Sequence, residues 1–425
     1  MLDTLLPSLH AAVKRSARAR RILAPTVRTA ARAGARIRQP FAAACRPPSR
    51  VHHAFEDWLE VDGPNGASLK EIHDPLPADR TLPFSPDGRT HWKFERHRRR
   101  PRRATHVAVL PGGRTWGAGS AVITADDALL APLSLAVGDT EEYLAEPERH
   151  PIFAERRLPP ATRLDGVATL LSAPGGGGYY HWLIDLLPRL RLLEEAGMPV
   201  DASDHVIVNA TSARYQRETL ARLGVSGDRI VESRWHPHIR AERLVVPSLP
   251  GDFGHAPRWA CDFLRDAFLP AEGVEDAGAL LYLNRTHVTH RRVTNEAEFI
   301  ARLQTLGFEN PALERLPVAE QARRMAAARV VVAPHGAALT NLVFCRPGTR
   351  VIELLSPSDV SHVYWTLADT MGLDYAFLLA EGLEPPIGED PHEATLDMSI
   401  DIDTACHLVD RKLRESRDAR DVGSA

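Results

Sequence analysis

Residues 330–353, VVVAPHGAALTNLVFCRPGTRVIE, decide how this chain is read. Val330, Val331 and Val332 are a β-branched run of the kind that fills a strand buried on both faces, and Pro334 ends it. His335, Gly336, Ala337 and Ala338 follow. Apart from the imidazole they are small, so backbone N–H groups at the start of the next helix can approach a phosphate closely. Arg346, Pro347, Gly348 and Thr349 supply turn chemistry before a second apolar run at 351–355. The unit reads as strand, small loop, short helix, turn, strand. Spacing alone leaves two readings open: a nucleotide-type site, or a plain Rossmann-like βαβ unit whose loop binds nothing.

Outward from this stretch, strands and helices alternate. Strands are expected at 280–283 and 375–379, and helices at 295–306 and 318–328, with Asn295 and Glu298 in the spacing of a capping box. These join 330–333 and 351–355 in a sheet of buried, parallel strands. Upstream, 106–110, 121–124, 129–135, 205–209 and 243–246 read as strands, with Asp126 and Asp127 in a turn. A helix is expected over 179–196 after the run Gly175–Gly176–Gly177–Gly178, kinked by Pro188 and closed by Gly197, and another over 214–223. The pattern is α/β. It divides into a basic arm (1–50), an N-terminal α/β domain (51–270), a C-terminal domain (271–390) and a tail with a helix (391–425).

A chain of 425 residues with 44% hydrophobic and 25% charged residues has the composition of two globular domains. No stretch approaches the roughly 20 apolar residues of a membrane span. Cys45, Cys261, Cys345 and Cys406 are too scattered for a disulfide framework or a zinc site, which favours a reducing compartment. The net charge of −3 hides a basic N-terminal arm, where Lys14, Arg15, Arg18, Arg20, Arg21 and further arginines face one acid, Asp3. With Leu5, Leu6 and Leu9 beside it, the arm is either a solvated extension or a contact for an anionic membrane surface. Its basic residues follow the apolar stretch, the reverse of a secretory signal. The basic cluster 96–103 reads as a linker or exposed loop, and no nucleic-acid partner is expected.

Three clusters can carry chemistry. His181, Asp185 and Arg189 are spaced i, i+4, i+8 behind the glycine run, beside Tyr179, Tyr180 and Trp182. A histidine charged by an aspartate is what general-base work needs; the alternative is an Asp185–Arg189 surface pair. Arg285 and Arg292 leave a strand at its carboxyl end, where guanidinium groups suit a diphosphate, unless the loop is merely solvated. His287 and His290 lack a nearby third metal ligand. The third cluster is His335, Thr340, Asn341 and Glu353, the last either a ribose contact or an inward-facing ion-pair partner. Neither GxGxxG nor GxxxxGK[ST] occurs here, against a dinucleotide oxidoreductase and a P-loop kinase. Asp401 and Asp403 form a DxD triplet near the chain end, read as surface.

Taken together, YYHWLIDLLPRL (179–190), YLNRTHVTHRRVTNE (282–296) and APHGAALTNLVFCRPGTRVIEL (333–354) resemble glycosyltransferase family 61. In the family's usual HGAGLTN phrase the first alanine is kept as Ala337, while Ala338 replaces the second glycine. The resemblance implies a GT-B-like architecture, two Rossmann-like domains facing an interdomain cleft, and inverting transfer of a sugar, usually from a UDP-sugar, to a hydroxyl of a glycan or lipid-linked acceptor. Bacterial members serve capsule or other surface-polysaccharide synthesis, which points to the cytoplasm or the inner face of the membrane. On this reading His181 and Asp185 are catalytic and Tyr179, Tyr180 and Trp182 lie on the acceptor side. Arg285, Arg292, His335, Gly336, Ala337, Asn341 and Glu353 bind the donor, and neither metal nor other cofactor is expected. The rivals are a non-catalytic nucleotide-sugar-binding subunit of a polysaccharide assembly and, more remotely, a Rossmann oxidoreductase.

Overall fold

The structure, a computed structural model, describes residues 45–423 except 120, 136–145, 253, 276, 287, 289, 290, 383 and 390–396. Nearly all of the basic arm therefore lies outside the described residues, as do His287 and His290. The chain is mixed α/β and divides into two compact units. The described part of the first comprises residues 45–76 and 101–267, and that of the second residues 77–100 and 268–423. Among the described residues no helix is long and apolar enough to cross a membrane.

The N-terminal unit is built on one large mixed sheet. Its strands are β1 (Arg50–His52), β2 (Ser68–His73), β3 (Thr105–Pro111), β4 (Arg114–Trp116), β5 (Ala121–Ile123), β6 (Ala128–Leu130), β7 (Thr162–Leu170), β8 (His205–Val208), β9 (Ile230–Glu232) and β10 (His238–Pro247). The long strand β10 organises it. On one side β10 pairs in parallel with β7, which continues in parallel to β8 and β9. On the other side its first residues pair antiparallel with β4 and its last with β3. The antiparallel part is continuous with the parallel part, and β6 stops at Leu130, where a 3₁₀ turn through Pro132 takes over, instead of running to 135. The core under the sheet contains Trp58, Leu110, Leu130, Leu170, Ile207, Ile239 and Leu244.

The C-terminal unit carries β11 (Ala279–Tyr282), β12 (Ala328–Pro334), β13 (Arg350–Leu355) and β14 (Asp374–Leu379), all parallel and adjacent in chain order. The near-continuous burial of β12 and β13 follows from cover on both faces. Alternate residues Val330, Val332, Ile352, Leu354 and Leu378 meet Phe299, Met398, Ile400, Leu408 and Val409. Leu355 and Phe377 instead meet Phe94, Val360 and Trp365. Phe94 belongs to the helix Trp92–Arg98, so residues 77–100 fold with this unit although they precede β3 in the chain. The Trp365 indole N–H donates to Thr81 O at 2.9 Å and fastens that excursion.

One local expectation is corrected, and the surface reading of Asp401 and Asp403 holds, both being exposed. Asn295 makes no side-chain cap to the helix Glu296–Thr305; its amide donates to Ile400 O at 2.8 Å and accepts from Ile400 N–H at 3.1 Å. That bracket docks the tail whose helix, Ile402–Gly423, completes the core. The DxD triplet is a helix start: Asp401 accepts from Thr404 N–H and Oγ1–H at 3.0 and 2.8 Å.

Candidate active site

His181 is set by the chain that leaves β7. After Leu170 the backbone turns through the glycines, with Gly175 at φ +73°, and a Cβ there would stand 2.6 Å from His181 Cδ2. A short helix, Tyr179–His181, opens onto a π turn, Trp182–Leu186, in which Leu187 N–H reaches back to Trp182 O at 3.0 Å. Pro188, which has no N–H to give, separates this turn from the helix Arg189–Glu195. The expected kink is therefore a wide turn followed by a break.

The turn brings His181 Nδ1 to 2.6 Å from Asp185 Oδ2, with Asp185 fully buried and His181 partly exposed. Asp185 Oδ1 accepts from Gly254 N–H at 3.2 Å, and Tyr180 O–H donates to Gly254 O at 2.6 Å, so one loop clamps both. When Nδ1 carries the proton toward the carboxylate, the basic lone pair of a neutral ring is on Nε2. The Asp185–Arg189 surface pair does not form. Arg189 is buried and donates to the carbonyls of Pro247 and Leu171 at 2.9 and 2.8 Å, and burial lowers its pKa to about 9 against the pull of Asp185. Trp182 is fully buried, its N–H on Thr219 Oγ1 at 2.9 Å, so it anchors the helix instead of presenting a face to an acceptor. Tyr179 is half-buried, edge-on to Tyr215.

The C-terminal unit builds a second histidine–carboxylate pair across three neighbouring strands. His335, just past β12, places Nδ1 2.5 Å from Glu353 Oε1 in β13. Tyr375 in β14 donates its hydroxyl to Glu353 Oε2 at 2.6 Å. Glu353 has no exposed surface, and both its oxygens are engaged. It faces inward, one of the two readings the sequence offered, and it orients His335. The Tyr375 phenol is held far above its usual pKa, first by burial and then by the Glu353 charge.

Beside His335, Gly336 is extended and exists as glycine because of its neighbour: a Cβ there would overlap Arg285 Nη1. Arg285 is nearly buried and holds its place through its own N–H to Glu296 Oε1 (2.9 Å) and Nε–H to Arg291 O (3.2 Å). Burial and the nearby Arg291 lower its pKa to about 10. Ala337 is exposed at the start of a 3₁₀ segment, Ala337–Phe344. Asn341 is buried inside that segment and donates to Gln321 Oε1 and Ala338 O at 3.0 and 3.1 Å, which fixes the loop. Arg292 is exposed and committed to Asp397 through two N–H bonds of 3.0 and 2.6 Å.

The structure thus brings His335, Gly336 and Arg285 together and leaves Arg292 in a separate ion pair. Sequence reading missed Tyr375 as a partner of Glu353, because contact between β13 and β14 depends on strand register. It also missed the Gly254 clamp, which lies 69 residues from Asp185.

Residues 179–352 match the family model described as Glycosyltransferase 61, from the first residue of the His181 helix to the residue before Glu353. No curated protein matches the chain. The match supports glycosyltransferase family 61 and, with it, a glycosyltransferase activity.

Proposed function

We propose that this protein is an inverting glycosyltransferase of GT-B type, moving a sugar from a nucleotide-sugar, in first place a UDP-sugar, to a hydroxyl of a glycan or lipid-linked acceptor. The observation that carries the reading is that the family match contains both the His181–Asp185 dyad and the Arg285–Gly336–His335 cluster. Acceptor activation is assigned to the N-terminal unit. His181 Nε2 takes the acceptor proton, Asp185 stabilises the resulting imidazolium, and the acceptor oxygen bonds to the anomeric carbon as the bond to the diphosphate oxygen breaks. One displacement inverts the configuration.

Donor binding is assigned to the C-terminal unit. The Arg285 guanidinium and the His335 imidazole neutralise the leaving diphosphate, with Gly336 and Ala337 admitting the phosphates to the backbone. Metal has no part in this proposal, because fixed cations of the chain take the leaving charge. A place in surface-polysaccharide synthesis belongs to the same proposal and rests on the family resemblance, and the inner face of a membrane rests on the basic arm.

A thermal-shift screen against UDP-, GDP-, CMP- and dTDP-sugars tests it, since a ligand at 100 times its Kd stabilises the native state by about 2.7 kcal/mol. One nucleotide class should raise Tm, and His181→Ala should keep that shift while losing transfer. Binding with no turnover on any hydroxyl acceptor would favour a non-catalytic nucleotide-sugar-binding subunit; tight nicotinamide binding without nucleotide-sugar binding would favour the oxidoreductase.

A further inference from the structure

A pocket of about 240 Å³ lies wholly within the N-terminal unit, at the carboxyl ends of the parallel neighbours β7 and β10. That edge is where ligands of open α/β sheets bind. The pocket is smaller than the roughly 300–1,000 Å³ of drug-sized sites, a size for a single sugar unit. Its walls mix apolar surface with three cationic or basic groups, Arg103, His106 and Arg189, and among the described residues no carboxylate lines it.

Two links tie the pocket to the His181 dyad. Arg189 lines it and lies on the chain eight residues beyond His181, in the helix that follows the π turn. The loop after β10 also serves both: Leu249 and Gly251 wall the pocket, and Gly254 holds Asp185 and Tyr180. Arg189 spends four hydrogen bonds on the carbonyls of Pro247, Leu171 and Ser172. A guanidinium has five N–H groups, so at least one is left over among the described residues. Asp252 answers the Arg103 charge from outside the lining, at 2.5 Å. Phe55 lines the pocket as well, its ring 4.9 Å from that of His106, and offers an apolar face to a pyranose.

We infer that this pocket is the acceptor subsite and that it takes a sugar unit bearing an anionic group, a carboxylate or a phosphate, held by Arg189 and Arg103 so that a hydroxyl is directed toward His181. The inference rests on the glycosyltransferase reading for the word acceptor. The binding itself does not.

The test is direct binding to the full chain, read as a concentration-dependent rise in Tm with D-glucuronate, inorganic phosphate or glucose. Glucuronate or phosphate should bind, the stronger of the two identifying the anion, and glucose should bind at least about tenfold more weakly. Ala104→Trp, which fills the pocket from its wall, should abolish the shift. Arg103→Ala, a change at an exposed side chain, should weaken it by about tenfold. No shift with either anion, a shift equal for glucose, or one that survives both substitutions would overturn the inference. Nucleotide-sugar binding measured on the same samples reports on the donor reading separately, so either can fail alone.

Discussion

His335 Nδ1 stands 2.5 Å from Glu353 Oε1 although no part of Glu353 reaches solvent. A buried carboxylate persists only when its oxygens are satisfied, and here the second oxygen takes the Tyr375 hydroxyl. The pair is therefore a rigid mount for an imidazole at the mouth of a parallel sheet.

Glu353→Gln keeps the shape but replaces one acceptor oxygen with an N–H₂ group, which is satisfied only if His335 switches tautomer or the Tyr375 hydroxyl turns to accept. Urea unfolding should show a loss of about 2–3 kcal/mol, and Tyr375→Phe about 1–3 kcal/mol. Donor affinity should fall in Glu353→Gln as His335 loses its orientation. Unchanged stability in both variants would mean these bonds do not hold the site.

Asp185→Asn presents an amide N–H₂ toward His181 Nδ1 and so favours the tautomer with its proton on Nε2. The lone pair needed to accept a proton would then be turned away from the acceptor. Turnover should drop by about 10²–10⁴-fold, as in His181→Ala, with donor Kd nearly unchanged. Steady-state kinetics beside nucleotide titration decides it.

The two glycines at the sites predict opposite kinds of damage. Gly175→Ala puts a side chain at φ +73° and pushes on His181, so it should cost about 1–2 kcal/mol and depress turnover. Gly336→Ala carries no backbone strain because φ is 174°, and it displaces only the far end of Arg285. Its Tm should hold while donor Kd rises by about tenfold or more.

His238 predicts a pH dependence of stability. It has no exposed surface, its Nδ1–H donates to Pro159 O at 2.8 Å, and Arg114 faces its Nε2 at 3.4 Å. Burial lowers its pKa from 6.5 to about 4, the nearby Arg114 and Arg240 adding to the effect. The unfolded chain binds this proton more tightly, so the contribution is complete above pH 6.5 and is lost as pH falls toward 4. About 3 kcal/mol is at stake. Urea titrations at pH 7 and pH 4.5 should differ accordingly in the wild type, and less in His238→Gln.

The sequence by itself determined the C-terminal sheet and the location of both histidines. Val330–Val332 and, apart from Glu353, 351–355 are apolar on both faces, the pattern of a parallel strand covered on both sides. The glycine run before Tyr179 and the HGAA loop each marked a site by composition, although the atoms that crowd Gly176 and Gly336 belong to Asn209 and Arg285, far away in the chain. Helical spacing also placed His181 over Asp185.

Tertiary structure decided what the polar groups do. Asp185 meets Gly254, Glu353 meets Tyr375, Arg292 meets Asp397 and Asn295 meets Ile400 across separations from 22 to 105 residues. Side-chain type fixes which bonds such a group can make, but the partner depends on which strand ends up beside which and in what register. The same holds for residues 77–100, whose Phe94 fills the core of a sheet that the chain builds only 180 residues later. Apolar periodicity is local and can be read along the chain. Hydrogen-bond satisfaction is not, because a buried donor is answered by whatever the fold brings within 3 Å of it.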